Sequence, residues 1–331
     1  EIRLSLVGSE MCIRDRPDII DTWNEGKVAD VEGYYENAKI NRVYVDRVHV
    51  KKAFAEYTAA YNADDTKIKL KIDHTYRVAA LCERIAKAAG MCAYDVELAW
   101  LSGMLHDVGR FEQIKRYNTF SDADSVDHAK FGADLLFKDG LISTFLNGMV
   151  KCTGYKPGAL EDRYGSDGVF LYDRLNKSDM EMLELAIRCH NMYRIPQGLN
   201  SREQAFCNVL RDADKVDIFK VNIDTPLEEI YNTTTEELMK SDITDEVLEA
   251  FDEEHCILKA IRRTPADTVI GHVSLAYELV YDESVRITVE QGYLAKLMHF
   301  HSDNEETNRK MAMVREKMDS YVKKRIGEKD A

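Results

Sequence analysis

Leu105-His106-Asp107-Val108-Gly109-Arg110 closes a long apolar run, and the fold can be read outward from it. Residues 96–105 are nearly all apolar, so the pattern predicts a buried helix that delivers His106 and Asp107 into the interior. An imidazole beside a carboxylate is a pair of ligand types that a borderline divalent metal accepts together. Gly109 is expected to take positive φ and stop the helix just past the pair. One His-Asp dipeptide says little by itself. Its weight comes from what recurs elsewhere in the chain.

From about His49 the periodicity is helical. Val50, Phe54, Tyr57 and Tyr61 mark one stripe; His74, Val78, Leu81, Cys82, Ile85 and Ala89 mark the next, closed by Gly90. Asp95 is placed to cap the helix that ends at His106-Asp107, and Asp124 or Ser125 to start another with His128, Phe131, Gly132, Leu135 and Leu136 on one face. Ser178 with Glu181 and Ser201 with Gln204 read as capping boxes. The first heads a helix with Leu183, Ala186, Ile187 and His190; the second, one with Phe206, Cys207, Leu210, Asp214 and Val221. Three or four amphipathic helices are expected beyond Pro226, the last over 304–326. All five prolines fall outside the strongest helical patterns, as a helical chain requires. The expected fold is all-α: a helical core over 49–222, with a Gly-, Asp- and Tyr-rich flap at 151–177, and C-terminal helices over 223–331 packed on it.

The formal net charge of −14 argues against an extended nucleic-acid surface. No apolar run approaches the ~20 residues that span a bilayer. The seven cysteines are scattered, with no Cys-x-x-Cys pair, so reduced thiols and a cytoplasmic setting are expected. Oligomeric state is not legible. Residues 1–16 resemble read-through of a transposase adapter used in sequencing and are set aside as a non-native segment; 17–48 stay uncertain.

His74, His106, His128 and His190 fall on the apolar stripes of four different predicted helices, and Asp107 and Asp214 join them. Burying several imidazoles and two carboxylates together costs several kcal/mol for each unpaired carboxylate, and a shared metal offsets that cost. The ordered set resembles the HD-domain superfamily of metal-dependent phosphohydrolases, over roughly residues 50–222. The resemblance implies that His74, His106, Asp107 and Asp214 bind one metal, the last in the context Ala213-Asp214-Lys215-Val216. Members with two metals add histidines matching His128 and His190, with Asp107 bridging. A Gly-Tyr-Pro signature, a Glu-Asp pair soon after His-Asp, and a glutamate three residues after Asp107 are all missing. What remains resembles the bacterial branch with His-Asp-hydrophobic-Gly-Arg-Phe.

The resemblance implies one or two divalent ions (Mn, Fe, Co, Ni or Zn, with Mg possible) and a small phosphorylated substrate, hydrolysed by metal-activated water. Asp107, Arg110 and Lys215 are the expected catalytic residues, with Arg77, Arg110 and Lys215 binding phosphate. A mixed-valence di-iron oxygenase and a non-catalytic metal-binding regulator are the alternatives.

Overall fold

A computed structural model describes residues 45–62, 64–146, 151–152, 170–171, 175, 177–231 and 233–327. The expected non-native segment, most of the uncertain tract behind it and most of the flap lie outside the described residues. Among the described residues the fold is all-helical, apart from one two-residue antiparallel pairing of Lys151–Cys152 with Phe170–Leu171.

Helix α1, Arg47–Thr58, starts where the Asp46 side chain accepts the Val48 and His49 amides. Helix α2, Thr66–Ala88, buries Ile68, His74, Val78, Leu81, Cys82 and Ile85, and Gly90 behind it takes φ of +75°. Helix α3, Ala93–Leu105, is buried on nearly all sides, as its nearly all-apolar pattern predicts. It presses on α2 backbone to backbone: a Cβ on Gly103 would stand 2.6 Å from the Ala79 Cα. Helix α4, Val108–Tyr117, follows Asp107 directly. Helix α5, His128–Ala133, is capped by Asp127 rather than by Asp124 or Ser125 and runs into a π-helical turn, Asp134–Lys138. Then come α6, Ile142–Leu146, α7, Lys177–Cys189, and α8, Ser201–Asp224.

The chain forms two compact units, Glu1–Asn191 with Pro196–Leu210, and Met192–Ile195 with Arg211–Ala331. The second is built on α8 from Arg211 onward. Among its described residues it adds seven helices, Leu227–Tyr231, Thr235–Lys240, Asp245–Asp252, Pro265–Val273, Asp282–Gln291, Tyr293–Met298 and Glu305–Ile326, where the sequence suggested three or four. Most are shorter than the ~12–15 residues a helix needs alone, so packing rather than periodicity sustains them. Phe219, Val247, Phe251, Ile270, Val273 and Met311 lie in their common core. No described helix is long and apolar enough to cross a membrane.

Three local expectations are corrected. The cap of α8 is Asn200, whose side chain accepts the Arg202 and Glu203 amides while Glu203 returns a bond to the Asn200 amide, one residue ahead of the Ser201 box. Cys92 is disulfide-bonded, whereas Cys82, Cys189, Cys207 and Cys256 form no disulfide. Asp95 does not cap α3, which opens at Cys92. Its carboxylate is buried and takes the Arg202 guanidinium at 2.7 Å, and the same guanidinium reaches the buried Asp179 at 2.7 Å. One cation therefore ties α3, α7 and α8 together. Arg202→Met should leave both carboxylates without it and cost about 3–5 kcal/mol, read as a lower urea midpoint.

Candidate metal centre

Four helix termini or faces of the first unit deliver one imidazole each to Asp107. His74 comes from the middle of α2, His106 from the end of α3, His128 from the start of α5 and His190 from just past α7. All five side chains are buried. An aspartate at a helix N-cap ordinarily accepts an amide of the first turn. Asp107 makes no such bond, and its carboxylate faces the histidines instead.

The geometry divides two by two. His74 Nε2 and His106 Nε2 stand 3.6 and 3.5 Å from Asp107 Oδ2. His128 Nε2 and His190 Nε2 stand 3.5 and 3.8 Å from Oδ1. Within each pair the Nε2 atoms face each other, at 3.3 Å for His74–His106 and 3.1 Å for His128–His190.

The far nitrogens fix the tautomers. His106 Nδ1 lies 2.8 Å from the Gly103 carbonyl and His190 Nδ1 2.7 Å from the Ile187 carbonyl, so both must donate there. His128 Nδ1 donates to Asp122 Oδ2 at 2.7 Å. In the neutral ring each donation makes Nε2 the acceptor nitrogen, on the side of the ring nearer Asp107. Burial, and then the Arg110 guanidinium, hold His128 below the ordinary imidazole range, which keeps it neutral. Two acceptor nitrogens 3.1 Å apart, as in the His128–His190 pair, repel. Asp107 Oδ1, buried without a hydrogen-bond donor, faces the same gap. Three imidazole acceptors of fixed tautomer and an orphaned carboxylate oxygen fit a cation, and His106, Asp107 and His190 offer ligand atoms within 4.8 Å of one another.

Burial alone would push the Asp107 carboxyl up. The Lys71 ammonium, donating to Oδ2 at 2.7 Å, and the imidazoles outweigh burial and hold it well below the usual carboxylate range. Sequence reading missed Lys71, although its spacing of three before His74 puts it on the same helix face. It also missed Asp122, which lies in a loop with no period to expose it.

Arg110 uses Nη1 on Asp122 Oδ1, Gln113 Oε1 and the Phe120 carbonyl, while its Nε lies 3.7 Å from Asp107 Oδ1. Arg77 is half-buried on α2, six residues past Lys71. Asp214 and Lys215 lie on the part of α8 that belongs to the second unit. There burial, and then Arg211, lower the Lys215 ammonium to about 8. Asp212, the neighbouring candidate, has its carboxylate filled by the Val280 and Tyr281 amides and the Ser284 hydroxyl.

Gly109 does not stop a helix at positive φ, as the sequence suggested; it lies inside α4. Its lack of a side chain matters for close approach. A Cβ there would meet the His128 carbonyl at 2.4 Å and the Gly132 nitrogen at 2.7 Å.

A family model for the HD domain matches residues 72–261, more than half of the chain. No curated protein and no solved structure matches.

Gly109→Ala should therefore push α5 away from α4 and carry His128 with it. The expected result is a metal affinity about 10–100-fold weaker by equilibrium dialysis, together with a lower melting temperature.

Proposed function

Because the chain belongs to the HD-domain family, we propose that it is a metal-dependent phosphohydrolase that cleaves a phosphate ester of a nucleotide or another small phosphorylated metabolite. The observation that carries this reading is the division of four buried imidazoles, two to each oxygen of Asp107. A carboxylate so placed suits a bridge between two ions. His74, His106, Asp107 and Asp214 would hold one ion, and Asp107, His128 and His190 the other. Asp214 enters on its Ala-Asp-Lys-Val context and on the full coordination of Asp212 by its own unit. Mixed nitrogen and oxygen ligation suits Mn, Fe, Co, Ni or Zn better than Ca.

A divalent ion held there would supply a water whose pKa is lowered from 15.7 toward ~7 and would polarise a phosphoryl oxygen. The chain's own residues supply the rest. Lys71 keeps Asp107 ionised, so the carboxylate stays a ligand rather than an acid. Arg110 is anchored through Nη1 and turns Nε toward Asp107 Oδ1, which orients the carboxylate. Arg77 and Lys215 are the cations assigned to the substrate phosphate, whose two negative charges they would balance.

Purified protein loaded with Mn, Co or Mg should release phosphate from one or more members of a panel of nucleotides and small phosphate esters, and Asp107→Ala should release none. Lys71→Met should lower kcat/KM by about 10–100-fold, as loss of a partner to a metal ligand does. Metal retained without phosphate release would sink this reading. Iron content with oxygen uptake would then favour a di-iron oxygenase, and bound metal without any turnover a regulator.

A further inference from the structure

We propose that the loop over 119–127 sets the occupancy of the His128–His190 half of the centre independently of the His74–His106 half. The inference rests on the reading of the centre as a two-ion site and adds to it a device that decides whether one ion or two are held.

The two halves are anchored differently. His106 follows the last residue of α3 and takes its acceptor, the Gly103 carbonyl, from that helix. His128 is the first residue of α5, where the free backbone groups are N–H donors that cannot accept its Nδ1 proton. Its acceptor must come from elsewhere, and Asp122 supplies it at 2.7 Å.

Asp122 is in turn held from beneath. Its Oδ1 accepts from Arg110 Nη1 at 2.9 Å and from Gln113 Nε2 at 3.0 Å. Gln113, itself fully buried, also donates to Ser125 Oγ at 2.9 Å and to the Val126 carbonyl at 3.0 Å. The loop is thus bound to α4, the helix that follows Asp107, at Phe120, Asp122, Ser125 and Val126. Asn191, next to His190, donates to Asp127 Oδ1 at 3.0 Å and reaches Asp122 Oδ2 at 3.4 Å. Both imidazoles on the Oδ1 side are therefore tied to the same loop.

Asp122 is 31% exposed while the ring it orients is 5% exposed. The handle of this half reaches solvent; the ligand does not. Asp122, Arg110 and Gln113 are accordingly positioning residues for the second ion.

The test is a manganese titration of chelator-stripped protein, read by metal stoichiometry and by EPR. Wild type should hold two ions per chain with a spin-coupled signal. Asp122→Ala should hold one, with the coupled signal replaced by that of an isolated ion. The retained site should keep its affinity within about threefold, and the lost site should weaken about 10–100-fold. Asp122→Asn can accept either the His128 Nδ1 proton or the Arg110 and Gln113 donors but not both, so it should also weaken the second site, by about tenfold; a thermal melt shows that each variant is folded, and the Asn variant carries the test if the Ala variant is not. Loss of both ions together, retention of both at wild-type affinity, or a single ion in wild type would overturn the proposal. Failure of wild type to bind manganese at all would overturn the two-ion reading as well, which separates the two.

Discussion

A carboxylate buried at the meeting point of four helices is the constraint on which the first unit depends. Asp107 is 2% exposed, and an ionised group there costs several kcal/mol unless its charge is answered on the spot. The answer comes from Lys71 and from imidazoles brought by α2, α3, α5 and the end of α7. Those elements are far apart in sequence, so the carboxylate can be satisfied only when the helices are packed. The same packing explains the glycines. Gly103 lets α3 press on the α2 backbone, and Gly109 lets α4 lie against α5. Without both, the imidazoles would stand off from the carboxylate they share.

The histidines were legible because each lies on an apolar stripe with helical spacing, and a titratable ring on such a stripe must be buried with it. The same logic would have found Lys71, three residues before His74. It was overlooked because a lysine on a helix face reads as a solvated charge until its partner is known. Gly109 shows the opposite failure. The residue type was read correctly as special, but the reason assigned to it was conformational, whereas the actual reason is steric. Glycine serves both ends, and the sequence does not distinguish them.

Asp122 and Gln113 were not legible at all. They act through a loop of nine residues whose hydrogen bonds follow no period, and the buried member of the pair is a neutral amide that no charge pattern marks. The second unit resisted reading for another reason. Helices of five to ten residues carry too few apolar positions to show a phase, and their ends are set by partners elsewhere in that unit. The Thr264 box shows this: Asp267 closes it and also accepts from Thr244, so one carboxylate serves two helix starts.

Helix polarity accounts for the asymmetry of the centre. A helix ends in free carbonyls and begins in free amides. A histidine at a C-terminal end finds a carbonyl three residues back that takes its Nδ1 proton and turns Nε2 outward as an acceptor, as Gly103 does for His106 and Ile187 for His190. This asks little of the fold, since the last carbonyls of a helix lack a full set of intrahelical partners; the Ile187 carbonyl takes only a long bond, 3.5 Å, from the His190 amide. A histidine at an N-terminal end meets only donors and must borrow an acceptor, which is why His128 alone of these three leans on a side-chain carboxylate. A borrowed carboxylate is a charge, and a charge needs its own counter-ion; Arg110 is that counter-ion. The arginine after the His-Asp-Val-Gly turn is then explained by where one imidazole sits on its helix, before any substrate is considered.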